Sequence, residues 1–307
     1  MNLTNVILQA KQALLLSGKI VDYAFGSYQS NSLFCVSFET NNWGDRLNKY
    51  LLDKITGKNT HIIHINHLDY INKIASFFPD KPIFTAIGSV MHFVPDGAFV
   101  WGTGCIYNSK NFNFNPSAIL SVRGPLTAEV ISSKGFSKPE LYGDPALVLQ
   151  KYIDKNVFYR KKEFKIGVIP HQNEKHLLAV TELIKKHELY FIDIEGEIDA
   201  VIDDVARCDY VFSSSLHGLI LSDILDIPNT WVRFFEHFPG ENFKFNDYYS
   251  SLKGNVSDDR KPIYITLDNI NNALIDKLLL KASVHTHTLN IDNIESVLLE
   301  HLSTLSV

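Results

Sequence analysis

Hydrophobic and polar positions along the chain form short apolar runs, each followed by a stretch with helical spacing. The apolar runs predict strands, and those of the first half end in turns rich in Gly, Asn and Ser. The second half restarts this alternation after a charged stretch at 151–163. The predicted strands are 32–38, 61–65, 82–88, 98–101, 118–122, 164–169, 189–193, 209–212 and 229–233, with a short one near 140.

Helices are predicted between these strands, because apolar residues recur there at intervals of three and four. The first strand leads into a helix that starts at Asp45 and ends at Gly57, and Pro125 opens another. An aromatic stretch from 234 to 260 is expected to be a loop. The predicted helices are 4–16, 45–56, 68–78, 125–132, 174–187, 196–207, 217–226, 267–280 and 290–304.

Strands that alternate with helices are typical of parallel sheets built from βαβ units. The chain has 307 residues, and at about 150 residues per domain it is expected to form two Rossmann-like domains that face each other across a cleft. Residues 1–150 would form the N-terminal domain and residues 151–307 the C-terminal domain, with 151–163 as the linker. The last helix is expected to pack back on the N-terminal domain.

Composition and charge narrow the class of protein. Hydrophobic residues make up 45% of the chain and charged residues 21%, which is the balance of a globular protein. A net charge of −5 argues against nucleic acid as a partner. Cys35, Cys105 and Cys208 are widely spaced and form no CxxC pair, which favours reduced thiols.

The sequence shows no sign of membrane insertion or export. It has no apolar run of the ~18 residues that a membrane span needs, and its first residues lack the basic start of a signal peptide. We therefore expect a cytoplasmic protein. Peripheral contact with the inner face of the membrane and the oligomeric state are left open.

Residues that directly follow the predicted strands are the first candidates for chemistry, because open parallel sheets bind ligands beyond the carboxyl ends of their strands. Most are Gly, Ser, Asn, Asp, Arg or His, and several of these types are also common in the turns of any α/β protein. The candidates are Asn42, Gly44, Asp45, Asn48, Gly88, Ser89, Gly102, Thr103, Gly104, Arg123, Gly143, Asp144, His171 and residues 213–218.

The turn Ser213-Ser214-Ser215-Leu216-His217-Gly218 is the sharpest of these candidates. It follows a buried strand and opens a helix, whose N-terminal N–H groups and dipole attract anions. His217 can carry positive charge there or move a proton near neutral pH. The alternative is that the serines only cap the helix and His217 is a hydrogen-bonded surface residue.

Three further residues have both a functional and a structural interpretation. Arg123, between a strand end and a helix, can clamp a carboxylate or phosphate, or form a surface ion pair. His171 is either a binding group or an ordinary loop histidine. Asp45 can act as a base or cap its helix.

Several motifs that are typical of nucleotide-binding proteins, hydrolases and metalloproteases are absent. The sequence contains no GxGxxG, no Walker A, no G-x-S-x-G and no HExxH. His61, His64 and His67 are spaced by three, but they lack an Asp or Cys partner at ligand spacing. We therefore expect no metal site there.

Several short stretches, taken together, resemble the polysaccharide pyruvyl transferase family, especially its bacterial exopolysaccharide branch. They occur in the family's order, and the ordered set is more specific than any one of them. The stretches are 42–48, 86–89, 100–104, 121–127, 142–147, 168–171, 213–220 and 243–249.

The resemblance implies a two-domain fold like that of the GT-B glycosyltransferases. It also implies phosphoenolpyruvate as the pyruvyl donor and a sugar of a cell-surface polysaccharide, or of its lipid-linked precursor, as the acceptor. The product would be a pyruvate ketal that bridges two hydroxyls. Because the donor carries its own energy, no organic cofactor is implied, and the need for a divalent ion is left open.

The resemblance also assigns residues. The family's donor-binding Arg and His correspond to Arg123 and His217, and His217 would supply the general acid or bind the phosphate, with Asp45 as a base toward the acceptor. Many members have Arg two residues before this His, where this chain has Ser215, so part of the anion binding must come from elsewhere, with His171, Arg233 and Lys244 as the alternatives. The other substrate-binding residues expected are Asn42, Gly44, Asn48, Ser89, Gly102, Gly104, His171, Ser213, Ser214, Ser215, Leu216, Gly218, Arg233 and Lys244.

Two other functions stay open. A glycosyltransferase of the same shape would use a nucleotide sugar and need an acidic residue for the ribose, such as Asp193 or Glu195. A glycan-binding protein without activity would leave Arg123 and His217 without a purpose.

Overall fold

The computed structural model describes residues 31–38, 40–68, 82–234, 242–252, 261–284 and 291–305. The predicted helix at 4–16 lies outside these residues, and so does the one at 68–78 apart from its first residue. Two parallel five-stranded sheets form the framework of the described chain, one from each half of the sequence. The prediction of two Rossmann-like α/β units is confirmed.

The first sheet is built from β1 (Ser32–Ser37), β2 (Asn59–His64), β3 (Ile83–Thr85), β4 (Phe99–Trp101) and β5 (Ala118–Ser121). The order across it is β2-β1-β3-β4-β5. Every residue of β1 is buried, as expected for a strand covered on both faces. Its helices are α1 (Trp43–Thr56) and α2 (Pro125–Ser132), and 3-10 helices form at Ile65–His67, Met91–Phe93 and Pro145–Lys151.

The second sheet is built from β6 (Phe164–Ile169), β7 (Tyr190–Phe191), β8 (Cys208–Ser213), β9 (Asn229–Arg233) and β10 (Ile263–Tyr264). The order across it is β10-β9-β8-β6-β7. Its helices are α3 (Leu178–His187), α4 (Ile198–Ala206), α5 (Leu216–Ile224), α6 (Phe243–Ser251), α7 (Asn272–Lys281) and α8 (Ile291–Thr304), and 3-10 helices form at Lys155–Tyr159 and Leu267–Asn269.

One hydrophobic core joins the two halves. Trp43 at the start of α1 packs with residues of α4 and α5, its backbone N–H donates to Ile194 O at 2.8 Å, and its indole N–H donates to Ile198 O at 3.3 Å. On another side, α8 returns to the first sheet, where the indole of Trp101 donates to Ile294 O at 2.6 Å. The halves are therefore held together by apolar packing and by buried hydrogen bonds.

Helix α1 begins two residues earlier than predicted. The Asn42 side chain accepts the N–H of Gly44 at 3.0 Å and caps the helix, so Asp45 lies inside its first turn. The Asp45 carboxylate instead accepts the hydroxyl of Thr40 at 2.5 Å. The interpretation of Asp45 as a cap is therefore wrong.

The aromatic stretch predicted as a loop contains α6. Phe245, Asp247 and Tyr248 are buried on this helix, and they contact distant parts of the chain. Such tertiary contacts stabilise a short helix that its own sequence would not maintain in water. The prediction of a loop is wrong because the local pattern does not show these contacts.

Smaller differences concern three segments. Helix α3 begins at Leu178 instead of 174, because residues 171–177 form hydrogen-bonded turns. The strand expected near 140 is a single bridge between Val122 and Tyr142. The charged segment 151–163 includes the 3-10 helix Lys155–Tyr159, which the Asp154 side chain caps.

Candidate active site

A pocket of about 260 Å³ lies between the two halves, at the carboxyl ends of β1 and β3 on one side and of β6 and β8 on the other. This is the edge at which parallel sheets bind ligands. Residues of both halves and of α6 line it: Phe38, Thr40, Asn42, Asp45, Gly88, Ser89, Ile106, His171, Gln172, Asn173, Ser215, Leu216, His217 and Lys244.

The His217 ring lies directly against the backbone of α1. A β-carbon added at Gly44 would overlap the ring, with its closest approach to Nδ1. The Trp43 ring lies beside it, 6.5 Å away between centroids. Nε2 is buried and has no hydrogen-bond partner among the described residues. A buried nitrogen in this state costs stability unless water or a ligand completes its bonding.

The surroundings of His217 keep its ring neutral. Burial is the largest cause, and the positive charges of Lys244 and Arg123 add to it, so that the pKa falls from 6.5 to about 3. An anion placed beside the ring would oppose these cations and raise the pKa. In the ligand-free protein the ring is therefore an uncharged hydrogen-bonding group at neutral pH.

The serines of the turn at 213–218 hold the backbone in place. The Ser213 hydroxyl lies 2.9 Å from Ile169 O and accepts the N–H of Ser215 at 3.0 Å, while the Ser214 hydroxyl accepts the N–H of His171 at 2.8 Å. Ser215 is the N-cap residue of α5, but its side chain makes no capping bond. The turn therefore joins the ends of β6 and β8, and Ser215 itself faces the pocket.

Lys244, on the first turn of α6, brings a cation into the pocket. Burial lowers the pKa of its amine to about 8, and the charges of Arg123 and Arg233 act in the same direction, while Glu174 and Asp45 oppose the shift. At neutral pH most of the amine is still protonated. Lys244 therefore supplies positive charge close to Ser215, where the family pattern has Arg.

His171 lines the same pocket as Lys244, and Arg233 lies next to it. Burial lowers the pKa of His171 to about 3, with contributions from Lys244 and Arg233. Arg233 does not line the main pocket but an adjoining cavity of about 10 Å³, together with Glu174. Its guanidinium lies 5.6 Å from the centroid of the Phe245 ring. Arg233 thus adds positive electrostatic potential to the pocket without lining it.

Asp45 is the carboxylate of the pocket. Burial raises its pKa to about 6, while the hydroxyl of Thr40 and the charge of Lys244 act to lower it. At neutral pH most of the group is ionised and able to accept a proton. A carboxylate with this pKa suits a general base that works close to neutral pH.

Arg123 is placed differently from the expectation. Its side chain is 0% exposed and does not line the pocket. Its Nε donates to Asp247 Oδ2 at 2.9 Å, Nη1 to Ser89 Oγ at 2.8 Å and Nη2 to Cys105 O at 2.6 Å. Each guanidinium nitrogen therefore already donates a hydrogen bond to a protein oxygen. The ion pair of Arg123 is buried, so the alternative of a surface ion pair is wrong.

Comparison with known proteins identifies the family. Residues 30–234, more than half of the chain, match the polysaccharide pyruvyl transferase family. The chain belongs to the polysaccharide pyruvyl transferase family. The resemblance seen in the sequence is thereby confirmed, and membership supports transfer of a pyruvyl group to a polysaccharide as the reaction.

Two proteins are similar in sequence to this pyruvyl transferase. An uncharacterized protein of Acanthamoeba polyphaga mimivirus is 29% identical over 245 residues, which cover 76% of this chain and 78% of the relative. Succinoglycan biosynthesis protein ExoV of Rhizobium meliloti (strain 1021) is 25% identical over 229 residues, which cover 72% of this chain and 65% of ExoV.

The fold of the pyruvyl transferase matches that of a solved GT-B-like enzyme. The UDP-GlcNAc 2-epimerase of Methanocaldococcus jannaschii superposes with a TM-score of 0.50 at 10% identity, covering 89% of this chain and 99% of the epimerase. The expected GT-B-like architecture is confirmed. Among the helices described here, none combines the length and apolar character that crossing a membrane requires.

The structure sorts the predicted site residues of the pyruvyl transferase into two groups. The first group lines the pocket: Asn42, Asp45, Ser89, His171, Ser215, Leu216, His217 and Lys244. The second group lies behind the lining residues: Gly44, Asn48, Gly102, Gly104, Arg123, Ser213, Ser214, Gly218 and Arg233. In the second group, Asn48 binds the backbone of Ile87 through both its amide oxygen and nitrogen, at 2.8 and 3.1 Å.

Thr40 and Gln172 are among the lining residues that the sequence did not single out. Thr40 binds the carboxylate of Asp45 and also accepts the N–H of Asn42 at 3.1 Å. Both residues are adjacent or nearly adjacent to predicted ones, Thr40 before Asn42 and Gln172 after His171. A search two residues to either side of each strand-end motif would have found them.

Proposed function

We propose that this chain transfers the pyruvyl group of phosphoenolpyruvate to a sugar of a cell-surface polysaccharide or of its lipid-linked precursor, and forms a pyruvate ketal. The observation that carries the proposal is the pocket's combination of an unpartnered His217 nitrogen with the Lys244 ammonium and the Asp45 carboxylate. Phosphoenolpyruvate has a phosphate and a carboxylate that need cations and N–H donors, and its acceptor has hydroxyls that need a base.

The anionic donor would be held from two sides. Lys244 provides the charge that Ser215 does not, and the N-terminus of α5 provides backbone N–H groups beside it. His217 adds a hydrogen bond through Nε2. When the phosphate binds, it raises the pKa of His217, and the ring takes up a proton that can then pass to the methylene carbon.

The reaction follows from these placements. Protonation of the methylene carbon by His217 makes the central carbon of the donor electrophilic. A sugar hydroxyl oxygen bonds to that carbon as its proton passes to Asp45, and the bond between the central carbon and the phosphate oxygen breaks. A second hydroxyl then closes the ketal. In the net reaction the two hydroxyl groups lose two protons. One replaces the proton that His217 gave to the methylene carbon, and the other leaves with the phosphate.

A nucleotide-sugar glycosyltransferase is the competing function, and the structure gives it less support. The two carboxylates that could hold a ribose, Asp193 and Glu195, both bind Lys175, at 2.9 and 2.5 Å. Neither lines the pocket. The two carboxylates that a glycosyltransferase would use to bind the ribose are thus already engaged in ion pairs.

Ligand-dependent melting temperatures test the proposal. We expect phosphoenolpyruvate to raise the melting temperature, because a ligand that binds only the folded state stabilises it in proportion to the logarithm of its concentration over Kd. Nucleoside diphosphates, measured in parallel at the same concentrations, are expected to have no effect. The reverse pattern would favour the glycosyltransferase.

Lys244 should control how donor capture depends on pH. We expect Lys244→Met to lower kcat/KM for phosphoenolpyruvate by about 10- to 100-fold, the value of a charged hydrogen bond. In the wild type kcat/KM should fall above pH about 8, as the amine loses its proton. Lys244→Arg should abolish this fall, because a guanidinium stays charged.

The matched control is Lys277→Met, which removes an exposed lysine that does not line the pocket. It should leave the pH profile unchanged. An alkaline limb that persists in Lys244→Arg would assign it to a different group.

A further inference from the structure

A buried ion pair connects the two halves of the molecule behind the pocket. Arg123 Nε and Asp247 Oδ2 are 2.9 Å apart, and both side chains are 0% exposed. The same carboxylate accepts two more hydrogen bonds from the first half, from the Thr127 N–H at 2.9 Å and the Thr127 hydroxyl at 2.7 Å. The charge of Asp247 is therefore fully compensated, as a buried carboxylate requires.

This pair fixes the helix that carries Lys244. Asp247 lies three residues after Lys244 on α6, and residues three apart share one face of a helix. The backbone of α6 also packs on Gly124, where a β-carbon would overlap Asp247 O. Holding Asp247 therefore sets both the distance of α6 from the first half and its rotation.

A second side of α6 is attached to the second half. The Tyr248 hydroxyl donates to Asp223 Oδ2 at 2.9 Å, and Asp223 belongs to α5, the helix that begins at the His217 turn. The helix is thus attached to α5 through Tyr248 and to the first half through Asp247. It places Lys244 relative to both walls of the pocket.

The other bonds of Arg123 lead to the same pocket. Ser89, which lines the pocket, receives a hydrogen bond from Nη1 at 2.8 Å. Gly104 makes room for the guanidinium, because a β-carbon there would overlap Cζ. These groups orient the guanidinium toward protein oxygens, and among the described residues it is linked to the pocket through Ser89 and α6.

We infer that Arg123 and Asp247 are positioning residues, which place Lys244 and Ser89 at the pocket and do not themselves contact the pyruvyl donor. The identity of that donor rests on the proposed function. The placement of Lys244, in contrast, can be measured without any substrate. A failure of one proposal can therefore be told from a failure of the other.

The first test measures the pKa of Lys244 in the substrate-free protein. The rate of labelling by an amine-reactive reagent is followed against pH, and the labelled peptide is quantified by mass spectrometry. In the wild type the pKa should be about 8. In Asp247→Asn it should rise toward 10.5, because α6 no longer holds the amine in the buried pocket.

The sign of this change decides the outcome. If α6 stayed in place without the pair, the uncompensated charge of Arg123 would lower the pKa of Lys244 further. An unchanged or lowered pKa would therefore overturn the proposal. Asp204→Asn is the matched control, since it removes the negative charge of an ion pair with Arg207 that lies outside the pocket lining, and it should leave the pKa of Lys244 unchanged.

The second test is a kinetic double-mutant cycle. Arg123→Met should raise KM for phosphoenolpyruvate about as much as Lys244→Met, and adding it to Lys244→Met should raise KM no further, since both changes remove the same contact. If Arg123 touched the donor itself, the two effects would multiply. Multiplying effects would overturn the proposal.

A third variant separates positioning from stability. Asp247→Leu leaves the buried charge of Arg123 without its counter-ion, and the double variant Arg123→Met with Asp247→Leu removes both charges, which is often close to neutral for stability. We expect the double variant to regain most of the melting temperature and none of the affinity. Recovery of both would show that the pair is only structural.

Discussion

Replacing His217 with glutamine is expected to lower kcat for pyruvyl transfer by about 10²- to 10⁴-fold, the usual contribution of a general acid. Glutamine retains a hydrogen-bond donor but cannot deliver a proton to carbon. Because the ring lies at the pocket surface and Nε2 bonds to no described residue, the fold should be retained. The measurement is phosphate release in the presence of a suitable acceptor. Near-normal turnover would remove His217 from the mechanism.

The same variant tests the protonation of the ring. His217 is neutral at pH 7 in the structure, since its pKa is about 3, and the phosphate of the donor should raise that pKa. Calorimetry in two buffers of different ionisation enthalpy should therefore detect proton uptake when phosphoenolpyruvate binds. The uptake should be smaller in His217→Gln. His176→Gln, which removes an exposed histidine, is the matched control and should behave as the wild type.

Gly44→Ala is expected to lower activity by about 10²-fold or more, although it adds only a methyl group outside the pocket lining. The new β-carbon would occupy the position of the His217 ring, which must then move, and a displacement of about 1 Å at a catalytic group has an effect of this size. Alanine favours helices, so the change should not disturb the backbone of α1. Overpacking should cost about 1–3 kcal/mol of stability.

A double-mutant cycle shows whether this overlap is the cause. In the His217→Ala background the ring is gone, and Gly44→Ala should then cost no stability. Gly57→Asn, at the other end of α1, is the control, because Gly57 is exposed with φ +66° and no atom within 4 Å of an added β-carbon, and Asn tolerates that conformation. An equal stability loss with and without the ring would disprove the overlap.

The sequence predicted the pocket's location well, because topology alone brings strand ends together. Asp45, His171 and His217 follow three different strands, and the carboxyl ends of those strands meet at one edge in any pair of facing parallel sheets. Their protonation could not be predicted in the same way. The pKa of about 3 for His217 depends on Lys244 and Arg123, which are distant in the sequence.

The environment of Arg123 could not be predicted for a related reason. Its partner Asp247 lies 124 residues away in a stretch that resembled a loop. A lone Arg at a strand end looks the same in sequence whether it binds a ligand or a buried carboxylate. The burial of Arg123, its bond to Asp247 and the packing of α6 on Gly124 distinguish the two.

The attachment of the two halves has a consequence for how the enzyme turns over. Enzymes with a cleft between two domains often close around their substrate by hinge motion, and opening can then limit the rate. Here such a rotation would break the bond of Trp43 to Ile194, divide a shared core and separate a buried charge pair. We therefore expect substrates and products to exchange through the mouth of an already assembled pocket, without a domain rotation that limits turnover.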